Sequence, residues 1–350
     1  MTSATRRLAF ALFAGCVFAV GIGAQDAGED KSESGEEAGA APSRLDKRNQ
    51  EAADRVYKTV AARHGRITNL ARGLKKEDVI VVGGLFDFMQ EILTAFRIPH
   101  TVISCAELDA HTFDPSRQIL FLNCHRIDRK FPASNRRYKR PSPAEAAARL
   151  AREIKAAGLD EKGAPGEAIR NRFDDVKYFA ETDYSVSALK RLGRFVKDGG
   201  WVMSTDWALL AVEKALPKTV KWTGRVTYEE RIEVRPSASG KREPLMKDVF
   251  PKKKARWWIE TEGYLFVVKS RRGKVLVESR GLAARYHGNK NVVALVEVGK
   301  GRLLHALSLV LLQAGATDDL TAMQMLVANF LVARSIQVHR ADLAAAAEEK

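Results

Sequence analysis

Between residues 78 and 104 the chain alternates unbroken apolar runs with turn residues. Val79-Ile80-Val81-Val82 is a continuous β-branched run, and Gly83-Gly84 follows it. Residues 86–96 then carry apolar positions at helical spacing, Ile98-Pro99 stops that helix, and residues 101–104 form a second short apolar run. Strand, helix, strand is the order of a βαβ unit. Residues 118–123 (QILFLN) predict a third strand. The pattern then recurs: a helix over 184–196, the turn Asp198-Gly199-Gly200, a strand over 201–204, and a helix over 208–216 that Pro217 ends. Strands that are apolar throughout are buried on both faces, which requires a parallel sheet covered by helices.

Beyond Pro217 the period changes to two. Residues 220–222 and 225–234 (RVTYEERIEV) alternate as exposed antiparallel strands do, and a Lys/Arg-rich loop over 241–256 separates them from Trp257-Trp258-Ile259-Glu260. Strands are predicted over 265–269, 275–279, 292–298 and 302–307, with Gly299-Lys300-Gly301 as a hairpin turn, before a helix over 321–334. Ahead of the core, Ala52, Val56, Val60, Ala61, Ile67 and Leu70 mark one or two amphipathic helices broken near His64-Gly65. The expected fold class is α/β: a three-layer, flavodoxin-like parallel sheet with helices on both faces and an antiparallel β-rich excursion over 218–290. One domain would span 51–340, with a tail over 341–350.

The amino-terminal pattern differs from all of this. Arg6-Arg7, an apolar run over 8–23 and small residues up to Ala24 follow the plan of a secretory signal peptide, with an uncleaved amino-terminal anchor as the alternative. The expectation is therefore export, periplasmic or secreted. Residues 25–50 are rich in Gly, Ala, Ser and acids without apolar periodicity, the composition of a disordered tether.

Composition adds less. The 45% hydrophobic and 29% charged content excludes wholesale disorder. A formal charge of +15 favours acidic partners, and cations cluster in the insertion over 126–175 and again in the loop over 241–256. Phe131 and Tyr138 alone interleave with the first cluster, a thin stacking platform for single-stranded nucleic acid. An anionic polymer bound through these basic loops is one partner class; an unknown small ligand or protein is the other, and the membrane enters only through an uncleaved amino-terminal segment. Apart from Cys16 in the leader, Cys105 and Cys124 are the only cysteines. If each ends a strand flanking a common neighbour, they lie roughly 10 Å apart, too far for a bridge, so two free thiols are expected.

The segments VVGGLFDF, FVKDGGWVMSTDWAL and VEVGKGRLLHALSL, each beside a predicted helix, resemble the class I glutamine amidotransferase-like superfamily. The resemblance covers about residues 78 to 335 and is nearest to the non-amidotransferase branch of trehalose-utilisation-type and uncharacterised exported domains. It implies, for an active member, a nucleophilic cysteine on a glycine-flanked strand-to-helix elbow, G-x-C-x-G, and a histidine beyond a later strand. The small flanks permit the strained turn that exposes sulfur, and the imidazole makes the thiolate. Here Cys124 stands between Asn123 and His125 with no glycine on either side, and alternation places His305 inside its strand.

Sequence alone therefore yields two sets of candidates. A catalytic set would use Cys124 as nucleophile, His125 or His305 as base and Asp206 as orienting acid. A ligand cleft at the strand ends would be lined by Gly83, Gly84, Asp87, Ser204, Thr205 and Asp206. Asp206 also has a plain structural role open to it, as an amino cap shared with Thr205. No metal-ligand spacing and no cofactor motif occurs, so neither a metal nor a cofactor is expected. The favoured reading is a non-catalytic exported binding or scaffold domain; the alternatives are a cysteine-dependent hydrolase or amidotransferase-like enzyme and an anionic-polymer-binding protein.

Overall fold

A computed structural model describes residues 47–64, 74–83, 87, 89–124, 184–228, 230–259, 263–308 and 317–348, all within one compact unit. The expected leader, most of the tether, the basic insertion over 126–175, Gly84 and His125 lie outside the described residues.

Nine strands form the main sheet in the order β2-β1-β3-β4-β11-β10-β9-β6-β7. Strands β1 (Val79–Val82), β2 (Thr101–Ile103), β3 (Ile119–Leu122), β4 (Trp201–Thr205) and β11 (Gly301–Ala306) are mutually parallel. The antiparallel half follows through β10 (Asn291–Val298), β9 (Gly273–Glu278), β6 (Glu230–Pro236) and β7 (Ala255–Ile259). A separate two-stranded ladder pairs β5 (Val220–Val226) with β8 (Tyr264–Val268). Every residue of β1, β3 and β4 is buried, as continuous apolar runs require. The expected flavodoxin-like α/β layering is thus present, with the antiparallel excursion where the change of period places it.

Side chains paired in register on adjacent parallel strands share a face. His305 pairs with Ser204, an odd number of residues along β4 from Trp201, so Trp201 and His305 look to opposite sides. The long helix α7 (Thr317–Glu348) lies on the Trp201 side, where Phe330 meets the indole at 5.0 Å, and α1 (Lys47–His64) packs along α7. The β5/β8 ladder covers the other side, with Phe266 edge-on to His305 at 4.7 Å. Helix α2 (Met89–Ala95) packs on α1, while α3 (Glu107–Ala110) packs on α4 (Val186–Asp198), α4 on α5 (Leu209–Ala215), and α5 on β5. Helix α6 (Arg280–Arg285) is capped by Ser279, whose Oγ accepts from Leu282 N–H. Ser185 caps α4 in the same way through Ala188 N–H, and Gly199, at φ 133°, ends it.

Three expectations need revision. Residues 225–234 are not one strand, because β5 ends at Val226 and β6 starts at Glu230, in different ladders. The intervening Thr227 and Tyr228 donate their N–H groups to Gly263 O and Tyr286 Oη, so the chain leaves one sheet for the other there. The terminal helix is also longer than 321–334, absorbing the tail as far as Glu348. Last, Asp206 is not the amino cap: Thr205 holds the cap position of the turn that follows β4, and its side chain accepts no cap hydrogen bond.

Candidate functional site

The site lies beyond the carboxyl ends of β1, β3, β4 and β11. Strand β4 runs Trp201 to Thr205, then turns directly into a 3-10 turn, Asp206–Ala208, and into α5. Asp206 sits at the tip of that turn with φ 39°, in the left-handed region. Aspartate enters it more readily than most residues, yet such a conformation costs on the order of 1–3 kcal/mol and persists only where surroundings hold it. Two residues before the tip is Ser204 and two after it is Ala208, both fully buried. A small residue, one intervening position, the tip, one intervening position and another small residue describe a strand-to-helix elbow. Its tip is an aspartate, not a cysteine.

Packing explains how the tip is held. The Tyr264 N–H, at the start of β8, donates to Asp206 Oδ1 at 3.0 Å, and Cys124 Sγ lies 3.8 Å from Oδ2 in donor geometry. Asp206 is 2% exposed, Cys124 1% and Asp87 0%. Burial carries the Asp206 carboxyl up to about 8, with the nearby Asp87 charge adding to the rise against the lowering effect of the Tyr264 and Cys124 hydrogen bonds. At neutral pH the elbow therefore holds a protonated carboxylic acid.

Cys124 reaches Asp206 from the tip of β3. Asn123, just before it, donates its N–H to Val82 O, accepts from Met89 N–H at 3.3 Å and donates Nδ2 to Gln90 Oε1 at 3.1 Å. The start of α2 is thereby tied to β3, and the sulfur beyond it is buried. Neither Cys105 nor Cys124 forms a disulfide, as expected; they follow β2 and β3, the strands that flank β1.

His305 belongs to a different pair. It stands beside Ser204 in the β4/β11 register, and its Nδ1 is 2.9 Å from Ser204 Oγ. Burial holds its pKa down near 3, so the ring is neutral. Its Nε2, like Thr205 Oγ1, is buried without a hydrogen-bond partner among the described residues. No hydrogen bond there joins His305 to Cys124 or Asp206. The structure thus brings Cys124, Asp206 and Asp87 together and leaves His305 with Ser204. At Gly83 the N–H is spent on Ile103 O at 2.9 Å, so it is not presented to an anion. Among the described residues no group of three or more metal-ligating side chains occurs, and no helix is long and apolar enough to cross a membrane.

Sequence reasoning missed two features. Tyr264 acts through its backbone amide, for which no side-chain signal exists. The elbow was legible in Ser204-Thr205-Asp206-Trp207-Ala208, provided the search asks for small residues around the tip and not for cysteine.

Fold and site together define an α/β protein with flavodoxin-like layering whose strand-to-helix elbow carries a buried aspartic acid. No protein-family model matches the sequence, and no curated protein is significantly similar to it. Among solved structures, a GMP synthase component from Thermoplasma acidophilum is 8% identical and has a TM-score of 0.41, covering 77% of this chain and 97% of its own. A ThuA-like protein from Parabacteroides merdae is 11% identical with a TM-score of 0.39, covering 74% and 90%. A glutamine amidotransferase from Thermotoga maritima is 8% identical with a TM-score of 0.32, covering 68% and 76%. The layering is established by the sheet order itself.

Proposed function

We propose that this chain is a non-catalytic, exported binding or scaffold domain built on a glutamine amidotransferase-like fold. The observation that carries the reading is the elbow: the position suited to an exposed nucleophile holds Asp206, buried and fixed by the Tyr264 amide. A nucleophile must be reachable by substrate and accompanied by a base. Cys124 is buried off the elbow, and the neutral His305 is engaged by Ser204.

The Cys124–Asp206 contact is the one arrangement that favours a second reading, a cysteine-dependent hydrolase or amidotransferase-like enzyme. Steady-state assays separate the two. The purified protein is expected to release no ammonia from glutamine and to hydrolyse no amide or ester faster than its Cys124→Ser variant does. Turnover lost in that variant would establish the enzyme. Export is tested separately: amino-terminal sequencing of the mature protein is expected to find residues 1–24 removed, and an intact Met1 in the cytoplasmic fraction would contradict it.

A further inference from the structure

At the end of the sheet opposite the elbow, turns and helix ends carry cations that no motif announces. Lys269 and Ser270 both donate their N–H groups to Thr219 O, which sets Lys218 beside the Lys269–Arg272 turn. Glu297 N–H donates to Arg272 O, and Lys300 N–H donates to Lys197 O at 2.9 Å, joining that turn to the β10/β11 hairpin and to the end of α4. Backbone hydrogen bonds thus place Lys197, Lys218, Lys269, Arg271, Arg272 and Lys300 on one rim, and all six residues are exposed. Carboxylates accompany them: Asp198, Glu297, which is paired with Arg272 at 3.2 Å, and Asp114, whose neighbour Pro115 lies against Gly199 beside Lys300. Among the described residues, Lys197, Lys218, Lys269, Arg271 and Lys300 form no ion pair.

A like-charged rim on rigid strand ends costs self-repulsion that a polyanion would relieve. We infer that this rim is a binding surface for an anionic polysaccharide, engaged through its carboxylate or sulfate groups. The absence of other chemistry on the rim narrows the partner. Among the described residues it offers no exposed aromatic ring on which a base could stack, since Trp201 is buried. It is made of turns and one helix carboxyl end, so it has no element to enter a DNA groove. Among the described residues the exposed large hydrophobics, Val186, Tyr228 and Leu343, lie on other segments, so none of them would insert into a bilayer from the rim.

Heparin is the probe, measured against the full chain at several salt concentrations. The variant K218Q/K269Q/R271Q/K300Q is expected to lose about ten-fold in affinity and to flatten the salt dependence by about three in log–log slope. A control with the same charge change in the other basic loop, K241Q/R242Q/K247Q/K253Q, should lose far less. Unchanged thermal unfolding of both shows that each is folded, and the milder K269Q/K300Q pair should give a smaller loss of the same sign. Parental affinity in the rim variant, equal losses in rim and control, or tighter binding of duplex DNA or anionic vesicles than of heparin at equal ionic strength would each overturn the inference.

Discussion

Asp206 adopts a strained backbone at φ 39° and a buried, protonated side chain, and each fact explains the other. The turn points the carboxyl back under β8, where the Tyr264 amide and the Cys124 thiol are its partners. That geometry also governs Cys124, which lies 1% exposed against a carboxyl. Alkylation of the native protein followed by peptide mass spectrometry should label Cys124 at least ~100-fold more slowly than the unfolded chain, because thiolate and access are both needed. Labelling at the unfolded rate would mean that the tip of β3 is open. Sequence made the candidate residues legible without their relation to one another. An aspartate between strand and helix is usually a cap; the small residues on either side of Asp206 mark the elbow, but the sign of its φ is set by tertiary packing that no local pattern records.

Helix α7 shows what burial does to an element. Arg334, 1% exposed, donates from Nε to Arg117 O at 3.1 Å, from Nη1 to Gly199 O at 3.2 Å and from Nη2 to Pro115 O at 2.7 Å. Its guanidinium also stands 5.8 Å from the centre of the Trp201 ring, which Arg302 approaches to 4.7 Å. One side chain thus pins the helix to the amino ends of the strands. Burial lowers its pKa to about 10, which leaves it charged at neutral pH. Replacing Arg334 with Met is expected to cost about 3 kcal/mol in denaturant unfolding, since three carbonyls lose their donor. Lysine should not restore it, because a point charge cannot serve the forked set. Gly193 makes the same case between helices: a Cβ there would overlap the Ala215 carbonyl oxygen of α5. Gly193→Ala, which would stabilise an exposed helix by up to ~1 kcal/mol, should instead lower the melting temperature. The βαβ core was legible because its strands are uniformly apolar. The β5/β6 break was not, since Val226 to Glu230 contains no glycine or proline to mark it. The end of α7 was missed because apolar periodicity stops at Val338, where burial stops, while the alanine-rich stretch beyond it continues the helix on propensity.

At the scale of the whole molecule, a parallel half-sheet continues through β11 into an antiparallel half, and the β5/β8 ladder folds back over the elbow. The change of hydrophobic period at Pro217 foretold the two halves, but the order of strands and the ladder's place over the elbow depend on long-range pairing. The edge strand β7 is closed by side chains: Asp319 accepts from Arg256 N–H at 2.7 Å, and Ser308 Oγ donates to Trp258 O at 2.6 Å. A sealed elbow has a thermodynamic signature. An aspartate whose carboxyl rises from 3.8 unfolded to about 8 folded binds its proton more tightly in the native state, so stability falls as pH climbs between those values. His305, held near 3, works in the opposite direction as pH falls below 6.5, but it is shared by parent and variant and cancels in their difference. The decisive measurement is therefore chemical unfolding of the parent and of Asp206→Asn from pH 4 to 9. Asparagine keeps the shape and the acceptor for Tyr264 and removes the titration. The variant should gain on the parent as pH rises, with a ceiling of about 6 kcal/mol reached near pH 8. A difference independent of pH, or one in which the parent gains as pH rises, would show an ionised, open Asp206 and contradict the sealed elbow.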